Sequence, residues 1–157
     1  RLSLGLDQRR SIADNIAVTV LDQLLRWRLL SATLKKLLVS DWIERLSVKI
    51  GEPDDAVSTL SGGNQQRVVL GKWLATHPKL LILDSPTVGV DVGARAGIFE
   101  IVRALANDGM GIVLISDEIS ETYYNADRIL HMRDGRLVET FQPRDVDIRQ
   151  IEMAVNG

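Results

Sequence analysis

The 157-residue sequence contains no cysteine, few aromatic residues and no long apolar run. The absence of cysteine excludes disulfide bonds and thiolate metal ligands, and it is typical of proteins from reducing compartments. Because the longest apolar runs are only as long as a β-strand, we predict no membrane-spanning segment. The two histidines, His77 and His131, have no partner at metal-ligand spacing, so a zinc site is not favoured. No signal peptide is visible.

Charge is nearly balanced, with 19 Lys and Arg residues against 21 Asp and Glu residues and a formal net charge of −2. A protein that binds nucleic acid through its phosphates is expected to carry a basic excess, so we expect no nucleic-acid partner. The length is sufficient for one ordinary domain with a buried core. The chain begins with Arg1 rather than Met, from which we expect that it was cut from a longer polypeptide.

The first part of the chain, residues 1–59, is predicted to be mainly helical. Ser11 with Asp14 resembles a capping box at a helix start, and it precedes a set of apolar positions: Ile16, Val20, Leu21, Leu24 and Leu25. A second amphipathic stretch covers about residues 33–46, and "GEPDD" at 51–55 is predicted to be a loop. The tryptophans Trp27, Trp42 and Trp73 lie in stretches of helical pattern and are interpreted as packing residues.

The second part alternates between helical and strand patterns. The predicted helices cover about residues 62–76, 94–107, 119–124 and 146–155, with Gly109 at a C-cap position. The predicted strands are Leu80–Leu83 and Gly111–Ile115, followed by a hairpin of residues 128–132 and 136–141 around the turn Asp134-Gly135.

The first two of these strands are continuously apolar and are separated by a helix. This pattern predicts buried, parallel strands joined by a right-handed crossover. Their carboxyl ends would then lie side by side, which would place four polar residues at one crevice: Asp84, Ser85, Ser116 and Asp117.

The segment "TLSGGNQQR", residues 59–67, is the most informative motif. Ser61 is a favourable N-cap residue, and two glycines in the first helical turn leave the backbone amides uncovered. Because a helix N-terminus carries about half a positive charge and free N–H donors, a phosphate can bind there. The alternative is a capped helix that happens to begin with Gly-Gly, and the segment alone does not separate the two interpretations.

Four motifs in order resemble those of the ATP-binding cassette (ABC) ATPases. They are "LSGGNQQR", "LLILDSPTVGVDVGAR", "VLISDE" and "ADRILHMRDGRLV". In this resemblance the signature covers Leu60–Asn64, the Walker B strand ends at Asp84, the D-loop covers Val88–Asp91, and Asp117 holds the switch position. "LSGGNQQ" and "VGVDVGAR" are most similar to ATP-binding subunits of bacterial ribose, galactose and xylose importers, which carry two cassettes in one polypeptide; the match is to the second cassette.

The resemblance implies an α/β fold: a P-loop-NTPase-like ABC cassette fragment with a mostly parallel sheet, flanking helices and a helical subdomain. Residues 1–59 would be part of the helical subdomain and its lead-in, and residues 60–157 the signature helix and the carboxyl part of the ATPase core. The Walker A loop, GxxxxGK[ST], does not occur in the sequence. In the family it lies upstream of the segment matched here.

Roles for single residues also follow from the resemblance. The signature residues Ser61, Gly62, Gly63 and Asn64 would contact ATP held by the other cassette, and Asp91 would contribute from the D-loop. Asp84 would hold Mg²⁺ directly or through water. Ser85 stands where the family usually has the glutamate that polarises the attacking water, and Asp117 where it usually has a histidine.

These two departures predict a second site that hydrolyses ATP poorly, since a positioned general base is worth about 10²–10⁴-fold in rate. ATP and Mg²⁺ are the expected cofactors of the intact assembly, and the fragment alone is expected to be inactive. The expected partners are the first cassette of the same polypeptide, transmembrane permease subunits and, indirectly, a periplasmic sugar-binding protein, at the cytoplasmic face of the inner membrane. Two alternatives stay open: an importer of nucleosides or another small solute, and a non-catalytic docking module.

Overall fold

The computed structural model describes residues 5–156 as a mixed α/β chain. Its helices are α1 (Ile12–Ala17), α2 (Ala32–Arg45), α3 (Gly62–Leu74), α4 (Val92–Asn107), α5 (Ile119–Asn125) and α6 (Ile148–Asn156), with 3₁₀ turns at Val18–Leu24 and Val57–Thr59. Its strands are β1 (Leu25–Arg26), β2 (Leu29–Leu30), β3 (Leu80–Asp84), β4 (Gly111–Ile115), β5 (Ile129–Arg133) and β6 (Arg136–Phe141). The chain divides into a first unit, residues 1–81 with 87–111, and a second unit, residues 82–86 with 112–157.

The core of the first unit lies where α1 packs against α2 and α3. Helix α1 begins as predicted, because the Ser11 hydroxyl accepts a hydrogen bond from the Asp14 amide at 3.0 Å. Apolar side chains from all three helices are almost fully buried, among them Ile12, Ile16, Val39, Leu70 and Leu74. The predicted second amphipathic stretch is confirmed as α2, whose Trp42 is buried as expected.

The chain between α1 and α2 is not the continuous helical pattern expected from its leucines. The backbone leaves helical geometry at Val20 (φ −132°) and then forms the short β1–β2 hairpin. Trp27 and Arg28 form its turn with positive φ angles of 55° and 66°, the left-handed geometry that two-residue hairpin turns require. The prediction that Trp27 is a packing residue is therefore wrong, since the side chain is 89% exposed at the hairpin tip.

The ion pair between Lys35 and Asp14 joins α2 to α1 at 2.5 Å. The hydrogen bond from Lys35 lowers the pKa of the Asp14 carboxyl below its usual value of 3.8. A carboxyl with a lowered pKa in the folded state adds stability above its unfolded pKa and loses that contribution as the pH falls through the folded pKa.

We therefore expect Lys35→Met to reduce the free energy of unfolding at pH 7 by about 0.2–1 kcal/mol, the range for a partly exposed pair. The difference should disappear as the pH falls from about 4 through the lowered folded pKa. Urea unfolding of both proteins between pH 2 and pH 7 measures it. Lys36→Met, at an exposed neighbouring position, is the control, and a pH-independent loss for Lys35→Met would contradict the assignment.

Strands β3 and β4 form the predicted parallel pair. The Gly111 amide donates to the Lys79 carbonyl at 3.0 Å and the Ser85 amide to the Ile115 carbonyl at 2.8 Å, so the partner numbers rise together along both strands. The predicted burial of both strand faces is wrong. In β3 only alternate side chains, Leu81 and Leu83, are buried, because one face of the pair is open to solvent in the described part of the chain.

The second unit contains the predicted β5–β6 hairpin. Asp134 (φ 51°) and Gly135 (φ 73°) form its turn, which confirms the predicted Asp-Gly hairpin turn. The antiparallel register shifts between His131 and Met132. Thus, among residues 5–156, one strand pair is parallel and two are antiparallel hairpins. Over the same residues, no helix combines the length and apolarity needed to cross a bilayer.

Candidate functional site

The signature segment forms the amino end of α3. Ser61 lies at the N-cap position in extended geometry (φ −62°, ψ 156°), but its side chain makes no capping hydrogen bond. The prediction that Ser61 is the N-cap residue of this helix is therefore confirmed, although its hydroxyl does not bond to the helix amides. Because no side chain caps these amides, the first backbone N–H groups of α3 keep their donors for an anion.

The Ser61 hydroxyl is instead held by Asn64. The Asn64 side-chain amide donates to Ser61 Oγ at 3.1 Å, and Asn64 Oδ1 accepts a hydrogen bond from the Lys49 backbone amide at 2.9 Å. Lys49 lies in the segment between α2 and α3, just ahead of the "GEPDD" loop. No sequence pattern indicates Lys49, because the contact uses its backbone N–H, which every residue except proline has.

The two signature glycines have different surroundings. Gly62 is half-buried, whereas Gly63 is buried against the start of α4. A Cβ atom at Gly63 would lie 2.5 Å from the Ala94 Cβ and 3.7 Å from Val90 Cγ1. Gly63 is therefore required by the close approach of α3 and α4. Of the two glycines, Gly62 is the one that is partly exposed to solvent.

The predicted D-loop leads directly into α4. Asp91 is the N-cap residue of this helix, and its Oδ1 accepts from the Ala94 amide at 2.9 Å. Since Gly63 packs against Ala94 and Val90, the signature and the D-loop segment contact each other within the first unit. The structure thus gives Asp91 a capping role, and its contact with ATP stays a prediction.

Arg67, on the second turn of α3, is a further residue of the site whose role no sequence motif indicates. Its Nη1 donates to the Leu46 carbonyl at the C-cap of α2, at 2.5 Å. Its guanidinium also lies against Gly97 of α4, where a Cβ atom would clash with it. Arg67 therefore holds the signature helix to both neighbouring helices, and the glycine at 97 provides the space for it.

In the second unit, the predicted catalytic position lies at the carboxyl end of β3. Ser85 has a positive φ of 48°, which costs about 1–3 kcal/mol for a residue other than glycine. Its hydroxyl donates to Asp84 Oδ1 at 3.2 Å, and its backbone amide bonds to the end of β4. The expected juxtaposition of the two strand ends is therefore confirmed, and Asp84 itself is exposed.

The loop after β4, where the sequence predicts the switch position, is held by Ser116 rather than by Asp117. Ser116 Oγ donates to Glu121 Oε2 at 2.6 Å and accepts from the Glu118 amide at 3.1 Å, and the Glu121 side chain is buried. Asp117 is exposed. No sequence motif indicates Glu121, since what distinguishes it is its burial in the first turn of a short helix.

A metal ion would find few ligands from the protein alone. Within residues 5–156 no three His, Asp or Glu side chains lie close enough together to bind one. The exposed carboxylate of Asp84 nevertheless fits Mg²⁺, which keeps several waters and commonly takes one or two carboxylates together with substrate phosphates. The residues present therefore fit a metal that arrives with a nucleotide.

Sequence comparison identifies related proteins. The profile of the ABC transporter family matches residues 2–88. The chain is 41% identical over 157 residues to the ribose import ATP-binding protein RbsA 2 of Streptomyces avermitilis and 40% identical to the xylose import ATP-binding protein XylG of Geobacillus kaustophilus. All of the chain aligns with each, but it spans only 31% of the length of either relative.

Solved structures share the fold. The cbiO1 protein of Clostridium perfringens, part of the ABC transporter complex cbiONQ, superposes with a TM-score of 0.77 at 22% identity, over 99% of this chain and 60% of that one. A dimeric ATP-binding cassette in a post-hydrolysis state, bound to ADP and Pi, gives a TM-score of 0.72 at 22% identity, over 88% of this chain and 59% of that one. At this identity the likeness supports the architecture alone.

Proposed function

Because the chain belongs to the ABC transporter family, we propose that it is part of the ATP-binding subunit of a bacterial importer for simple sugars. The names of the ribose and xylose import relatives support the solute class. Their much greater length supports a chain that is one part of a larger subunit, and the likeness of "LSGGNQQ" and "VGVDVGAR" to a second cassette supports its place there. The observation that carries the proposal is the amino end of α3, whose amides have no side-chain cap beside a half-buried glycine.

The signature acts on ATP held by the first cassette. Its contribution is a set of fixed donors, namely the Ser61 hydroxyl and the backbone amides of Gly62, Gly63 and Asn64, at the positive end of a helix dipole. These donors reach the phosphates only when the two cassettes close. The binding energy gained on closure then drives the permease between its two states, and hydrolysis reverses it.

The site built on Asp84 is proposed to be hydrolytically degenerate. Ser85 has no basic side chain, and its hydroxyl donates to Asp84 rather than accepting a proton from water. Asp117 would repel a γ-phosphate unless a cation intervened. Asp84 would hold Mg²⁺ directly or through water, so this site binds nucleotide more readily than it cleaves it.

The proposed partners are the first cassette of the same polypeptide and the transmembrane permease subunits, with a periplasmic sugar-binding protein delivering solute on the other side. Localisation at the cytoplasmic face of the inner membrane follows from this assembly. The test is ATP-dependent uptake into vesicles that contain the full subunit and its permease. Labelled ribose, xylose and a nucleoside are offered in parallel, and uptake of the nucleoside alone would overturn the sugar assignment.

For the 157-residue chain alone we expect no tight ATP binding. The sequence has no GxxxxGK[ST] loop, and such loops supply most of the phosphate contacts. Calorimetric titration with ATP and Mg²⁺ measures this, with the full subunit as positive control. A dissociation constant in the micromolar range for the short chain would contradict the prediction.

A further inference from the structure

We infer that the Asn64 side chain is a positioning group that aims the Ser61 hydroxyl at a phosphate, rather than a group that contacts ATP itself. This inference rests on the proposed function, because it assumes that the signature meets ATP. It concerns a chain of two hydrogen bonds, from the Lys49 amide to Asn64 and from Asn64 to Ser61.

The orientation of the Asn64 amide follows from its neighbours. The Lys49 backbone N–H can only donate, so the atom facing it at 2.9 Å has to be the Asn64 oxygen. The NH₂ group then faces Ser61 Oγ at 3.1 Å as a donor. The positions of the oxygen and nitrogen atoms of the Asn64 side-chain amide are therefore determined by its hydrogen-bond partners.

The direction of the Ser61 O–H bond follows in turn. A serine hydroxyl has one hydrogen and two lone pairs. Asn64 occupies a lone pair, and among residues 5–156 this is the hydroxyl's one hydrogen bond. Because Ser61 is exposed and makes no capping bond, its hydrogen is available to an acceptor arriving from solvent, and a phosphate oxygen is such an acceptor.

The same arrangement differs from an ordinary capping box. In that motif the N-cap hydroxyl accepts from the N3 amide, and the N3 side chain reaches back to the N-cap backbone. Here the N3 side chain, Asn64, bonds to the N-cap hydroxyl itself. As a result the first amides of α3 have no side-chain cap, and the Ser61 hydroxyl is an oriented donor.

Asn64→Asp is the discriminating variant. An aspartate keeps an oxygen for the Lys49 amide but cannot donate to Ser61, so the Ser61 hydroxyl donates to the new carboxylate and is turned away from phosphate. We expect a loss of ATP turnover close to that of Ser61→Ala, about 10²-fold, the lower end for one such phosphate-stabilising donor. The melting temperature should not fall, because the bond to Lys49 remains and an acidic residue in the first turn of a helix is stabilising.

The experiment is a double-mutant cycle in the full subunit assembled with its permease, with ATP turnover and the melting temperature as readouts. If Asn64 acts through Ser61, the double variant Ser61→Ala/Asn64→Asp is no slower than Ser61→Ala alone. Gln66→Glu adds the same charge two residues further along α3. Its turnover is expected to stay within about twofold of wild type, which corresponds to the smallest effect of losing one ordinary hydrogen bond.

The remaining outcomes would contradict either the inference or the proposed function. Full turnover in Asn64→Asp would overturn the inference, since the Asn64 side chain would then not be needed to orient Ser61. If the losses of the two single variants multiply in the double variant, the inference is also overturned, since Asn64 would then act independently of Ser61. Normal turnover in Ser61→Ala would instead overturn the proposed function of the signature. Asn64→Asp and the double variant thus test the inference, whereas Ser61→Ala tests the proposed function.

Discussion

Replacing Gly62 with aspartate is expected to abolish sugar uptake while leaving the first cassette able to bind ATP. Gly62 is the half-buried glycine in the first turn of α3, where the phosphate held by the partner cassette would approach. An aspartate there adds bulk and a negative charge at the point of contact. Loss of one such phosphate-stabilising contact costs about 10²–10³-fold in turnover, and charge repulsion adds to this.

A folding defect is not expected to account for the loss. Acidic residues in the first turn of a helix are stabilising by about 0.3–1 kcal/mol, so Gly62→Asp should melt no lower than the wild type. Gly62→Asn has a similar volume without the charge and separates steric from electrostatic effects. Uptake into vesicles and nucleotide binding to the open subunit are the two measurements.

Ser85→Ala is the matched variant at the second unit. It removes a hydroxyl that is no base and leaves the positive φ backbone otherwise unchanged, so uptake should remain near normal. Normal uptake with Gly62→Asp together with abolished uptake with Ser85→Ala would mean that α3 is only a capped helix. The division of roles between the two segments would then be wrong.

Gly63→Val is the second substitution with a large expected effect, and the effect is on folding. A Cβ at position 63 would meet the Ala94 Cβ at 2.5 Å, and the two further methyl groups of valine have to be accommodated in a closely packed contact. Overpacking of this kind costs about 1–3 kcal/mol of the free energy of unfolding. Urea unfolding monitored by circular dichroism measures it.

Gly93→Ala is the matched control. Gly93 occupies the same position in α4 as Gly63 does in α3, but a Cβ there would be 3.4 Å from Asp91 Oδ1, an ordinary contact. Replacing this exposed helical glycine with alanine should stabilise the protein by about 0.4–1 kcal/mol. Equal destabilisation by both substitutions would show that helix geometry, and not the contact with Ala94, determines the cost at Gly63.

Much of the fold was predictable because its patterns are local. The helix start at Ser11, the strand Gly111–Ile115 and the Asp134-Gly135 turn each depend on a few neighbouring residues, and the structure agrees with all three. The β1–β2 hairpin was missed, since Trp27 and Arg28 are not the usual residues for positive φ. The exposed face of β3 was missed because an apolar run does not reveal which of its sides another layer covers.

The candidate site likewise has features that the sequence predicts and features that it does not. Its residues were recognisable from the motifs, but their partners come from distant parts of the chain. Asn64 bonds to Lys49, 15 residues away, and Arg67 to Leu46, 21 residues away. Such pairs depend on tertiary packing, so no spacing in the sequence indicates them.

The contact between Gly63 and Ala94 has a mechanical consequence. With no side chain between them, α3 and the first turn of α4 cannot slide past each other without opening a gap, and closely packed surfaces resist that. We therefore expect the predicted signature and the predicted D-loop, which pack together within the first unit, to move as one body. A displacement of one would then displace the other, so events at the two segments would occur together.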